Sequence, residues 1–184
     1  RICKSAFSYC GNLKEIEFPS DSELQTIEKD AFHCSSIESL TIPSSVCNLE
    51  EGWSNCVKNL TKLTIIQREE QNIQFFEDKL LIGKSNPKID EYDILIFAAR
   101  DIKSVTIPSS IKKIERDAFA FSSIEKVVIP SGVSEICEAA FVTCQQLEMV
   151  EIPHDSQLEK IGKNAFTCTN IEKIFIPRSV TQIK

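Results

Sequence analysis

An Ala-Phe doublet recurs along the chain, at Ala6-Phe7, Ala31-Phe32, Ala118-Phe119, Ala140-Phe141 and Ala165-Phe166. Eleven or twelve residues after each Ala comes an apolar-Pro pair: Phe18-Pro19, Ile42-Pro43, Ile129-Pro130, Ile152-Pro153, Ile176-Pro177. An Ile stands five residues before each Phe, at Ile2, Ile27, Ile114, Ile136 and Ile161. A unit this short cannot bury its apolar side chains alone and must lay them against the next copy. The predicted fold is therefore a mainly β repeat solenoid, one domain over 1–184 of about seven coils of about 22–24 residues, truncated at both ends.

Within one unit, Val127-Val128-Ile129 and its equivalents are short and β-branched, as a strand requires. Ile16 and Phe18 are expected inside, with Glu17 between them facing out. The Pro has no N–H to give a ladder and ends the strand, and Ser-Ser or Ser-Gly after it suits a turn. A second short extended segment is expected to end at Ile114, Ile136 or Ile161. The Ala-Phe segment is then a tight helical or 3₁₀ corner with its ring inside. Each coil would bury five or six apolar side chains at roughly 1.5–3 kcal/mol apiece, before chain entropy is subtracted.

Two coils are degenerate. In the third, Trp53 stands near the Phe position, Cys56 at the Cys, and Leu60, Leu63 and Ile65 continue the strand. In the fourth, Phe97 fits the Phe position and Ala99 the Cys, followed by Ile102, Val105, Ile107 and Pro108. Residues 67–91 are surplus to a coil and are expected to form an insertion looping out of the stack. Within it, Phe75 to Ile82 reads as a hairpin with the polar turn Glu77-Asp78-Lys79.

Chemistry finds little foothold. Net charge is −6 with acids and bases interspersed, so no basic patch invites nucleic acid. No apolar run is long enough to insert in a membrane as a helix. Of the 8 cysteines, Cys10, Cys34, Cys56, Cys144 and Cys168 fall in one column of the repeat, where Ala99 and Phe121 also occur. A position open to Cys, Ala or Phe reads as a packed interior slot, hence a ladder of free thiols rather than disulfides. No C-x-x-C pair offers a zinc site, and none of the 5 glycines forms a nucleotide loop, so no metal and no cofactor are expected. His33 beside Cys34 is read as a corner residue rather than half of a catalytic pair, and His154 as a turn residue. Asp21 and Asp155 recur in long turns with Ser22 and Ser156, as Asx-type turn bonding would require. Asn59-Leu60-Thr61 is a glycosylation sequon.

The functional question thus moves from a catalytic centre to a surface. Outward strand residues form two columns. One contains Glu17, Thr41, Thr64, Thr106, Val128, Glu151 and Phe175; the other contains Glu15, Ser39, Lys62, Ser104, Lys126, Met149 and Lys173. Stacking presents them as one continuous face, with Val128, Met149 and Phe175 gathered toward one end.

The unit at 129–153 has the pattern Ile-Pro-Ser-x-Val-x-x-Ile-x-x-x-Ala-Phe-x-x-Cys-x-x-Leu-x-x-Val-x-Ile-Pro. It resembles the BspA-like, or Treponema pallidum type, leucine-rich repeat. The Cys-bearing coils and the segment Ile94 to Lys103 look most like the BspA-like proteins of trichomonad parasites. The resemblance covers nearly the whole chain outside 67–91. It implies a right-handed leucine-rich-repeat coil, no catalytic residues, and display at a cell surface. The implied role is that of an adhesin or surface antigen binding host-cell, matrix or microbial proteins. An intracellular scaffold of the same fold is the alternative.

Overall fold

The computed structural model describes residues 1–19, 21–66 and 72–184. Two columns of short, mostly parallel strands follow a solenoid, each interrupted after the third coil among the described residues. The outer-face column pairs Glu15–Ile16 with Ser39–Ile42 and Lys62–Ile65, and farther along pairs Lys126–Val128 with Met149–Glu151. Isolated bridges Ser104↔Lys126 and Val150↔Ile174 extend the second group. The other column holds the short segments ending at the repeat Ile: Lys113–Ile114, Glu135–Ile136, Lys160–Ile161 and Gln182–Ile183. Like lies over like, Ile114 on Ile136 on Ile161.

The corners are turns rather than helical or 3₁₀ segments, because their N–H groups have two jobs. Alternate amides bond within the coil: Ala118 N to Glu115 O, Ala120 N to Asp117 O, Ser122 N to Phe119 O. Those between them bond to the next coil: Phe119 N to Ala140 O at 2.8 Å, Phe121 N to Val142 O at 2.9 Å. A helix would keep every amide inside its own coil and leave neighbouring corners unlinked. The alternation places a left-handed residue on each side of the Phe, at Ser5 and Tyr9, Asp30 and Cys34, Asp117 and Phe121, Ala139 and Thr143, Asn164 and Cys168. Inside, the rings stack: Phe119 on Phe141 at 4.7 Å and 8°, Phe141 on Phe166 at 5.3 Å and 12°, Phe7 on Phe32 at 5.6 Å and 12°. In the third coil the ring comes from one residue earlier: Phe32 N bonds to Trp53 O as Phe119 N does to Ala140 O, so Trp53 stands at the Ala place, with its ring edge-on to Phe32.

The single cysteine column divides into two. Cys34, Cys56 and Cys168 take the left-handed position shared with Tyr9, Phe121 and Thr143, and are partly or fully exposed. Cys10 and Cys144 stand one residue later, at the place of Ser35 and Ser122. Only Cys144 of these is fully buried, its thiol donating to Phe119 O at 2.9 Å. The one-residue variation between Phe and Cys therefore changes the side chain's position. It does not loop out to preserve a packed ladder. In the long turns the bond expected of aspartate is made by serine, Leu24 N to Ser22 Oγ and Leu158 N to Ser156 Oγ.

The hairpin expected within the insertion is present, but it does not loop out of the stack. Residues 67–71 lie outside the described residues. Ile73–Phe76 and Leu80–Gly83 form the antiparallel hairpin. Its second strand pairs antiparallel with Ile94–Ala98, which pairs parallel with Lys113–Ile114, so the hairpin continues the short-strand column. Leu80, Leu81 and Ile82 are all buried, which requires cover on both faces of the strand. Leu80 and Ile82 pack with Ile114, Phe119 and the later coils, whereas Leu81 packs with Ile27, Phe32, Trp53 and the earlier ones. The hairpin is thus a partition between two apolar cores.

The fourth coil has no full corner. Leu95 is in register with Ile114, yet seven residues separate Leu95 from Ile102 where ten separate Ile114 from Ile124. Arg100 fills the gap. Its guanidinium lies 4.2 Å from the Phe97 ring centre and donates to Val57 O, Ala98 O, Ala118 O and Asp117 O. The side chain is 2% exposed, and burial pulls its pKa down to about 10, so it remains a cation at neutral pH. With the corner missing, the third and fifth coils meet, Glu51 pairing with Lys113 at 3.6 Å and Lys58 lying over the Phe121 ring.

Candidate partner-binding face

The outward columns assemble in the register read from the sequence. Glu15, Ser39 and Lys62 lie side by side, as do Thr41 and Thr64, and Ser104, Lys126 and Met149, with Val128 against Glu151. Side chains link across rungs where chemistry allows: Ser39 Oγ donates to Glu15 at 3.2 Å, Thr41 and Thr64 hydroxyls are 2.9 Å apart, and Lys126 Nζ is 2.6 Å from Glu151.

The face is not continuous. The hairpin turn, with Glu77 and Asp78 in left-handed backbone, divides it between the third and fourth rungs. Asp78 shares a depression with Lys62 and Thr64, whereas Glu77 and Lys79 share one with Ser104, Thr106, Lys126 and Val128. Among the described residues no ladder joins Lys62–Ile65 to residues 104–107. Glu17 and Thr41 therefore belong to one section of the face, and Thr106 onward to the other.

The second section contains a groove of about 1130 Å³ lined by Val128, Met149, Glu151, His154, Lys173 and Phe175 among others. Val128, Met149 and Phe175 are 45%, 48% and 42% exposed. Apolar groups so open to water, in one concavity, are uncommon on a strand face unless something covers them. His154 sets its ring edge-on to Phe175, 4.5 Å between centres, within the same lining. Glu148 and Glu172 stand at the rim. They had a sequence signal, since Glu occupies the place before the strand in three successive coils, Glu125, Glu148 and Glu172.

Elsewhere the chemistry is sparse. His33 Nε2 lies 3.5 Å from Cys34 Sγ and 3.2 Å from Tyr9 Oη, away from the groove. Burial and contact with Cys34 push the Cys56 thiol up to about 11, so it stays protonated at neutral pH. Asn59 and Thr61 are exposed and Leu60 between them is buried. Among the described residues no group of three or more potential ligands could hold a metal ion, and no helix is long and apolar enough to cross a membrane.

A stacked β coil with its repeat side chains superposed defines the class, a leucine-rich-repeat solenoid. The family model described as BspA type leucine rich repeat region matches residues 1–94 and 89–184 in 6 copies, and the chain belongs to that family. No curated protein sequence matches it. Among solved structures it is similar to the pneumococcal vaccine antigen PcpA, with a TM-score of 0.87 and 25% identity over 98% of this chain and 43% of that one. It is similar in fold to a leucine rich cell surface protein from Faecalibacterium prausnitzii, with a TM-score of 0.84 and 24% identity over 100% of this chain and 46% of that one. The chain thus spans less than half the length of either. A repeat solenoid of this family is a protein-interaction module.

Proposed function

We propose that this chain is the partner-gripping segment of a cell-surface adhesin or surface antigen, and that it binds host-cell or matrix protein through the strand face beyond the hairpin. The observation that carries this reading is the gathering of Val128, Met149 and Phe175, all open to solvent, in one groove. The surface setting is supported by the similar structures, one described as a cell surface protein and one as a vaccine antigen. No catalytic role is assigned.

The test is capture of purified extracellular-matrix proteins by immobilised chain, comparing wild type with Phe175→Glu and checking both for the same circular-dichroism spectrum and melting temperature. Loss of capture in the folded variant supports the face, and undiminished capture rejects it. Passage through a eukaryotic secretory pathway should also leave a glycan on exposed Asn59. It would appear as a mass increment absent from Asn59→Gln, and an unmodified Asn59 after secretion contradicts that expectation. An intracellular scaffold using the same face is the second reading, favoured by the 8 cysteines all being free thiols. Thiol titration of protein from its native compartment separates the two.

A further inference from the structure

We infer, on the reading that this face grips a protein, that the element it takes is a basic amphipathic helix laid along the stack. The helix places apolar side chains on Val128, Met149 and Phe175 and Lys or Arg side chains toward Glu148 and Glu172.

Charge supports this occupant. Glu125, Glu148 and Glu172 form an exposed acidic rail at the entrance of three successive strands. Glu125 reaches Lys103 only at 4.0 Å, and Glu148 and Glu172 have no ion pair among the described residues. Glu151 is already neutralised by Lys126. Lys173 is the groove's cation without an ion pair among the described residues, so acids prevail along the strip. An acidic rail beside an exposed apolar strip is complementary to a helix with one apolar and one cationic flank.

Spacing selects the helix over an extended peptide. Neighbouring rungs lie about 4.8 Å apart, so three rungs span about 10 Å. Helical side chains on one face recur each turn of about 5.4 Å, or about 11 Å over the same three contacts. Same-side residues of an extended strand recur about every 6.6 Å and are out of step by the third rung. The zigzag Val128, Met149, Phe175, which alternates between the two outward columns, matches the broad apolar stripe of such a helix.

The probes are a fluorescent Leu/Lys amphipathic peptide of about four helical turns, its Leu/Glu counterpart, and a Leu/Lys peptide of scrambled order, titrated by anisotropy. The ordered Leu/Lys peptide should bind and the other two should not. Glu148→Lys with Glu172→Lys should weaken binding about tenfold or more, equivalent to about 1.4 kcal/mol. Glu15→Lys with Glu17→Lys, the same charge change before the hairpin, should change it less than about twofold. Equal weakening by both pairs, or equal binding of the scrambled peptide, reduces the effect to net charge and overturns the inference. Failure of the ordered peptide to bind overturns it too. The same variants in the matrix-protein assay separate the two readings. If Phe175→Glu abolishes capture and the rim reversal leaves it intact, the face stands and the basic helix falls. If neither variant changes capture, both fall.

Discussion

Arg100 stands where the repeat loses three residues, and it replaces backbone with side chain. Val57 O and Asp117 O accept from its guanidinium in the interior. Arg100→Leu leaves these carbonyls without that donor, each costing about 1–3 kcal/mol, so a loss of about 3 kcal/mol in urea unfolding is expected. Arg100→Lys should recover little of it, because one ammonium cannot reproduce the planar fork. A variant within about 0.5 kcal/mol of wild type would refute the role. Nearby, burial pushes the Glu115 carboxyl up from 4.5 to about 7, with Lys113 opposing, and pushes Asp117 up to about 6. A carboxyl whose folded value is raised binds its proton more tightly in the fold. Its charge therefore costs nothing below the unfolded value and the full amount above the folded one. Glu115→Gln should be near neutral below about pH 4.5 and stabilising by on the order of 2 kcal/mol above about pH 7. An effect independent of pH rules out this origin. Neither residue was singled out by the repeat pattern, since Glu115 follows the repeat Ile as Glu28 does and Arg100 lies where that pattern lapses.

At the scale of the element, the hairpin's place inside the stack is the surprise, and it has a traceable signal. Leu80-Leu81-Ile82 and Leu95-Ile96-Phe97-Ala98 are unbroken apolar runs, whereas a strand with one wet face alternates. Length alone makes the segment surplus, but consecutive burial makes it a partition. Leu81→Ala should cost about 2–5 kcal/mol, a core penalty that a loop projecting into solvent would not show. A cost below about 0.5 kcal/mol in chemical unfolding would return the segment to the status of a surface loop. The corner of the seventh coil offers a contrasting test. A Cβ on Gly162 would lie 2.4 Å from Glu138 N and 2.6 Å from Cys137 C, both backbone atoms. Gly162→Ala should therefore separate the sixth and seventh coils and lower stability by about 1–3 kcal/mol. An unchanged melting temperature would show that the coils yield without cost.

The molecule as a whole comprises two stacks sharing a wall. Contacts in a solenoid run between neighbours, so cooperativity must cross the hairpin to join the first three coils to the last four. Hydrogen exchange should show amides of both stacks opening together in the wild type. Leu81→Ala should release those around Phe32 before those around Phe141, because Leu81 packs on the former cluster. Simultaneous release in the variant would show that the wall does not carry the coupling. The same wall divides the strand face. The groove at Val128, Met149 and Phe175 therefore acts apart from Glu17 and Thr41, and a partner engaging the groove should tolerate changes at those two residues.

Periodicity was enough to specify the stacked rungs, the facing of Glu17, Thr41, Lys126, Val128 and Phe175, and the column of rings, because each follows from spacing repeated in every copy. What spacing could not specify lies where copies disagree. A one-residue shift between Phe and Cys moves a thiol from the buried place of Cys144 to a partly or fully exposed one, since in a turn each step points a new way. A missing corner leaves carbonyls whose donor can come from any side chain near enough, and only the packed chain shows that it is Arg100. A surplus segment acquires its place from the surfaces it can cover on both sides, which are created by coils distant in sequence.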